Sequence, residues 1–174
     1  MKFRMALCML TITLFAIHAA ASGEEKAAST NAQRFEALKK LAGDWVAIGE
    51  DGKPTNNVVS SIRITSAGSV VQETLFPGSD HEMVTMYHLD GADLVLTHYC
   101  ALGNQPRLKA EPGNDVNKIA FKFAGGTNMK SNDDQHMDHA TLTIGTDRYK
   151  AEWTACKDGK SCHQANFDLV RRPK

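Results

Sequence analysis

The sequence predicts an all-β domain: an antiparallel meander of about ten short strands closing into a barrel, behind one short N-terminal helix. Three observations predict it. Blocks rich in β-branched and aromatic residues recur along the 174-residue chain, separated by Gly, Pro or Asn-Asp turn signals. Several blocks alternate apolar and polar positions, so each has one dry and one wet face. After the first helix no long helical period returns, which disfavours a βαβ sheet. A sheet of about ten strands tends to curl on itself, and a closed meander leaves an interior for side chains or one small ligand.

The chain opens with Lys2 and Arg4, an apolar run from Met5 to Ile17, and small residues Ala19, Ala20, Ala21 and Ser22. That order predicts a secretory signal peptide over 1–21, removed on export to the periplasm or beyond. The run is too short for a stable membrane span, so no membrane insertion is expected after cleavage. Cleavage would remove two of the 20 basic residues against 20 acidic ones, leaving a slightly acidic chain. Attraction to nucleic acid or anionic lipid is thereby excluded as the main activity. Residues 22–31 are small and polar and read as a flexible leader. Residues 32–174 form the single barrel domain. Thr30 or Asn31 offers a side-chain oxygen to cap a helix of about three turns. Phe35, Leu38 and Leu41 mark its apolar line, with Arg34, Lys39 and Lys40 off it, and Gly43 ends it.

The predicted strands are 44–49, 58–65, 69–76, 82–89, 93–100, 105–110, 117–124, 139–145, 147–156 and 161–171. Asp51-Gly52, Pro77-Gly78, Asp90-Gly91, Gly103-Asn104 and Asp158-Gly159 are among the turns between them. Ile119, Phe121 and Phe123 share a face, as do Tyr149, Ala151, Trp153 and Ala155, and as do His163, Ala165, Phe167 and Leu169.

Cys8 leaves with the signal peptide. Cys156 and Cys162 flank a hairpin loop on its outer face, and in an exported protein they are expected to form a disulfide. Cys100 is then the odd thiol.

The hairpin 81–100 gathers the candidate site. With Asp90-Gly91 as a two-residue turn, Thr85 faces Leu96, Met83 faces His98 and His81 faces Cys100. A three-residue loop would instead place His98 with His88. In the first register His81, His98 and Cys100 lie on the apolar face of Met83, Tyr87, Leu94 and Leu96. The next segment, rich in hydrogen-bonding groups, adds Asn104, Gln105 and Arg107 at a pocket mouth. With Trp153 from the apolar face of 147–156, the ligand-binding set is His81, Met83, Tyr87, His98, Cys100, Asn104, Gln105, Arg107 and Trp153. The loop 125–139 holds His136, His139 and three aspartates, but matches no strong metal template and reads as solvated. No phosphate loop, nucleophile elbow, zinc-protease motif or nucleotide fingerprint occurs, so no catalytic residue, metal or cofactor is assigned.

Residues 38–49, LKKLAGDWVAIG, resemble the opening of calycin-type barrels, where a short helix leads into a strand carrying Gly-x-Trp. The resemblance implies that Gly43 and Trp45 plug the closed end, with Arg171 or Arg172 from the last strand nearby. More closely, HEMVTMYHLDGADLVLTHYCALGNQPR, GGTNM, EWTACKDGK and FDLVRR resemble a family of exported bacterial lipocalin-like proteins without assigned chemistry, over about residues 35–172. That family's His-Met-His run here reads His136-Met137-Asp138-His139, so a metal role does not carry over.

Three functions fit. The first is an exported barrel binding a small, mostly apolar molecule. The second is a haem or nitric-oxide barrel of nitrobindin type, which opens with a similar Gly-x-Trp-x-x-x-Gly and would use an inward histidine such as His163. The third is an enzyme with His81, His98 or Cys100 as acid, base or nucleophile. The first is preferred, because residue types are present for the others but no constellation is. The sequence leaves the oligomeric state open.

Overall fold

Ten antiparallel strands pair in chain order, and the last returns to the first to close a barrel. The computed structural model describes residues 12–173, with side chains from Gly23 onward apart from Ser29. The strands are β1 (Gly43–Ile48), β2 (Pro54–Thr65), β3 (Val70–Leu75), β4 (Met83–Asp90), β5 (Asp93–Tyr99), β6 (Gln105–Ala110), β7 (Lys118–Thr127), β8 (His136–Ile144), β9 (Arg148–Lys157) and β10 (Lys160–Arg171). Closure runs through Trp45 opposite Arg171, Val46 opposite Val170 and Ala47 opposite Leu169. It leaves the sheet no edge to pair with another chain. Register shifts in β1, β6, β8 and β10 bend the strands into the closed curve.

The helix α1 spans Ile12–Lys39 and so begins well before the predicted cap. Residues 22–31, expected as a flexible leader, are helical, and the Thr30 hydroxyl donates back to the Lys26 carbonyl instead of capping a first turn. Residues 1–11, with the basic end of the predicted signal peptide and Cys8, lie outside the described residues. The predicted cleavage point after Ala21 falls within α1.

The helix lies against β4 and β5 and closes one end of the barrel. Phe35, Leu38 and Leu41 are buried there, as their spacing predicts. Arg34 was expected on the polar side but is buried too. Its guanidinium donates to the Asp115, Glu111 and Asn31 oxygens and clamps the β6–β7 loop onto the helix. A buried guanidinium persists because those bonds replace its water.

Trp45 stands at the centre of this closed end, with no accessible surface. Its indole N–H donates to the Leu41 carbonyl at 2.8 Å, and its ring meets Tyr149 edge-on at 5.7 Å. The Arg171 guanidinium lies 4.5 Å over the indole and donates to the Ala42 and Lys40 carbonyls just past the helix. One side chain thus ties β10, the indole and the helix end together. Arg172 instead pairs with Asp44 on the outside. Gly43 allows the close approach: its φ is +133°, and a Cβ there would stand 2.8 Å from Arg171 Nη1. Gly43→Ala is therefore expected to cost about 1–3 kcal/mol through backbone strain and loss of the Arg171 strut. A denaturation midpoint unchanged by that substitution would remove the strut from the account.

Two expected pairings are corrected. In the β4–β5 hairpin, Thr85 faces His98, Tyr87 faces Leu96 and Asp90 faces Asp93. The turn residues are Gly91 and Ala92, not Asp90 and Gly91. Gly91, at φ +60°, takes the first central position, as a type II′ turn requires. Asp90 and Asp93 stay in the strands, paired on the outer wall with Arg107 and Lys109. The Ala92 carbonyl accepts from Asn31 of the helix. A shift of two residues preserves the faces, so His98 still points inward.

The expected disulfide between Cys156 and Cys162 is absent. Cys100, Cys156 and Cys162 are all free thiols. Cys156 sits opposite Ser161, and the register slips between Ser161 and His163. Cys162 occupies that bulge, with its sulfur 3.5 Å from the Ala155 carbonyl oxygen. The hairpin therefore does not set the two cysteines directly across from each other.

Candidate functional site

The end of the barrel opposite the helix opens into a cavity of about 730 Å³. Its apolar wall is Leu75, Phe76, Met83, Met137, Trp153, Ala155, Ala165 and Phe167. Asp80, His81, Cys100, Ala101, Leu102, Gln135, His163, Gln164 and Asn166 line the remainder. Period-2 alternation in β9 turns Trp153 and Ala155 inward, and in β10 it does the same for Ala165 and Phe167. Phe76 is held at φ +52°, costly for an aromatic residue, with its ring 5.8 Å from Phe167. Strain of that kind is concentrated where a site fixes its walls.

His98 is the buried polar group of this cavity. Its Nδ1 lies 2.9 Å from the Thr85 hydroxyl across the β4–β5 pair, and its ring lies 5.1 Å from that of Trp153. Nε2 has no hydrogen-bond partner among the described residues. Burial alone pulls the imidazole down from 6.5 to about 4, so it is neutral at pH 7. The native state therefore binds fewer protons than the unfolded chain between those values. The contribution of His98 to stability is full above pH 6.5 and is lost as pH falls toward 4, by about 3 kcal/mol. Thermal melts across that window should show the loss in the wild type and not in His98→Leu. Equal pH slopes for the two would place His98 in water.

The expected ligand set separates into groups. His81, Met83, His98, Cys100 and Trp153 line the cavity. His81 belongs to the loop before β4 and is exposed at the rim, while Cys100 follows β5, half-buried, its N–H bonded to the Asn104 carbonyl. Neither reaches the strand pair expected for them, because β4 starts at Met83 and β5 stops at Tyr99. Asn104 is buried beside the cavity, and its amide donates to the Gln135 carbonyl. Gln105 and Arg107 face outward: Pro106, Leu108 and Ala110 occupy the buried side of β6. The Gln105 amide donates to Gly103, and Arg107 reaches Asp90 at 2.5 Å.

Tyr87 lies deeper, in a polar cluster that the sequence reading missed. Glu73 is fully buried inside the barrel and accepts from Ser60 and Tyr87, each at 2.7 Å, and from Tyr149 at 3.3 Å. Tyr149 reaches it from β9, across the barrel. Burial pushes the Glu73 carboxyl above its ordinary range, and the three hydroxyls pull it part of the way back. Burial, with the nearby carboxylate, holds both phenols well above 10.0. The cluster cross-braces the floor below His98 and Trp153. Its signal was present in the alternation Val71, Glu73, Leu75, which sets Glu73 on an apolar face.

In the β8 segment, Asp138 stands between His136 and His139, and the His136 ring packs on Phe123 at 4.0 Å. Among the described residues no cluster of three or more His, Cys, Asp or Glu is arranged to hold a metal ion. His163 is exposed at the cavity rim rather than buried. Compared with known proteins, the chain matches no protein-family model and no curated protein.

Proposed function

We propose that the protein is an exported barrel of calycin type that binds a small, mostly apolar molecule in the open-end cavity. The observation that carries this reading is the cavity of about 730 Å³, walled by apolar side chains around one buried imidazole with an unpartnered nitrogen. Small-molecule sites of about 300–1,000 Å³ share that composition: apolar walls and a few placed polar groups. The signal-like N-terminus and the Gly43-Asp44-Trp45 opening support export and the calycin kinship. The haem reading fits less well, because His163, the inward histidine it would use, is exposed at the cavity rim. The enzymatic reading has His81, His98 and Cys100 around one cavity but no bonded pair among them.

An apolar dye whose fluorescence rises on burial, N-phenylnaphthylamine, tests the reading. It should bind saturably, one per chain, and bind much more weakly to Ala165→Trp, which sets a second indole beside Trp153 inside the cavity. Binding unaffected by that substitution would contradict the proposal. Export is tested by N-terminal sequencing of native protein, with Ser22 expected first and Met1 as the contrary result.

A further inference from the structure

We propose that the cavity selects an uncharged apolar molecule that enters with a hydrogen-bond acceptor, of carbonyl or ether class, leading, and that His98 Nε2–H donates to that acceptor. The inference rests on the ligand-binding reading and sharpens it to a ligand class and an orientation.

The proton assignment comes from Thr85. Its side chain has no accessible surface, and the partner its hydroxyl has is His98 Nδ1 at 2.9 Å. A buried hydroxyl needs an acceptor for its hydrogen, so it donates to Nδ1. The imidazole, neutral at physiological pH, then carries its own proton on Nε2. That atom has no accessible surface and no partner among the described residues, so an acceptor reaches it only when a side chain lining the cavity yields. Buried donors in native proteins are paired, and the group that His98 lacks is an acceptor. Trp153 fixes the ring plane, so the donor direction is set before a ligand arrives. Met83 and Met137, unbranched and lining the same cavity, are the side chains able to yield to the entering end.

The charge of the ligand follows from what lines the cavity. Among the described residues no lysine or arginine lines it, and the acidic residue there is Asp80, exposed at the rim. A carboxylate or phosphate headgroup would meet no cation at either end of the site, and Asp80 would repel it at the mouth. An ammonium at the inner end would face a donor instead of an acceptor. An uncharged carbonyl or ether on an apolar body satisfies both the wall and the imidazole.

The test uses three probes of one chain length: a medium-chain methyl ketone, the matching alkane and the matching alkanoate, each displacing N-phenylnaphthylamine at neutral pH. The ketone should displace the dye about tenfold more tightly than the alkane, the factor one net hydrogen bond supplies, and the alkanoate should be the weakest. His98→Leu should remove the ketone preference while the alkane still binds, and His98→Gln, which keeps an N–H, should retain part of it. Equal binding of ketone and alkane to the wild type would overturn the inference and leave the apolar cavity reading standing. So would the alkanoate binding tightest, or the ketone preference surviving in His98→Leu. Failure of the dye and all three probes to bind would remove the ligand-binding reading itself. Should His98→Leu not fold, the wild-type ketone-to-alkane ratio decides alone.

Discussion

Trp45→Ala is expected to lower stability by about 3–5 kcal/mol, the cost of emptying a large aromatic site that cannot collapse. The site cannot collapse because it is walled on every side. The indole has no accessible surface, Tyr149 meets it edge-on, and Arg171 covers it while holding the Ala42 and Lys40 carbonyls. Removing the ring leaves a void, frees the Leu41 carbonyl from its N–H partner and unseats Arg171. The loss should appear as a lower denaturation midpoint with an unchanged slope. An unchanged midpoint would mean that the helix, and not Trp45, closes this end.

Glu73→Ala should be of similar size, about 3–5 kcal/mol, for a different reason. Ser60, Tyr87 and Tyr149 would all lose their acceptor inside the barrel, at about 1–3 kcal/mol for each hydroxyl left unpaired. Glu73→Gln keeps the volume and an acceptor oxygen and should cost less. It also isolates the titration. The folded carboxyl is raised above its ordinary 4.5, so the folded state holds its proton more tightly than the unfolded chain. The stability it contributes is full below pH 4.5 and declines as pH rises through the folded value, opposite in direction to His98. Chemical denaturation of wild type and Glu73→Gln across mildly acidic to neutral pH should show that decline in the wild type alone. Parallel curves would place the carboxyl in contact with water.

The strand meander was legible because its signals are local. Asp158-Gly159 shows this well: both residues take positive φ, 52° and 69°, in the two-residue turn that the dipeptide predicts. The same dipeptide at Asp90-Gly91 misleads, because tertiary contacts decide there. Arg107 and Lys109 hold Asp90 and Asp93 in the strands, and Asn31 fixes Ala92. His98 was nonetheless found, since its face survives a slip of two residues. Glu73 was missed because nothing within its own strand explains a buried carboxylate; its partners come from β2, β4 and β9. Arg34 escaped for the same reason, two of its three acceptors lying about eighty residues away in the β6–β7 loop. Gln105 and Arg107 were placed in the site by proximity in sequence, whereas alternation in β6 turns them out.

The open-end cavity is expected to hold a small apolar molecule in the native protein. Native mass spectrometry of the protein isolated from the exported fraction of its own cells, beside Ala165→Trp prepared identically, asks this directly. The expected result is a chain starting at Ser22 that carries one organic-extractable, uncharged adduct, absent from the variant. The bare chain mass in both samples, or an adduct retained by Ala165→Trp, would contradict it.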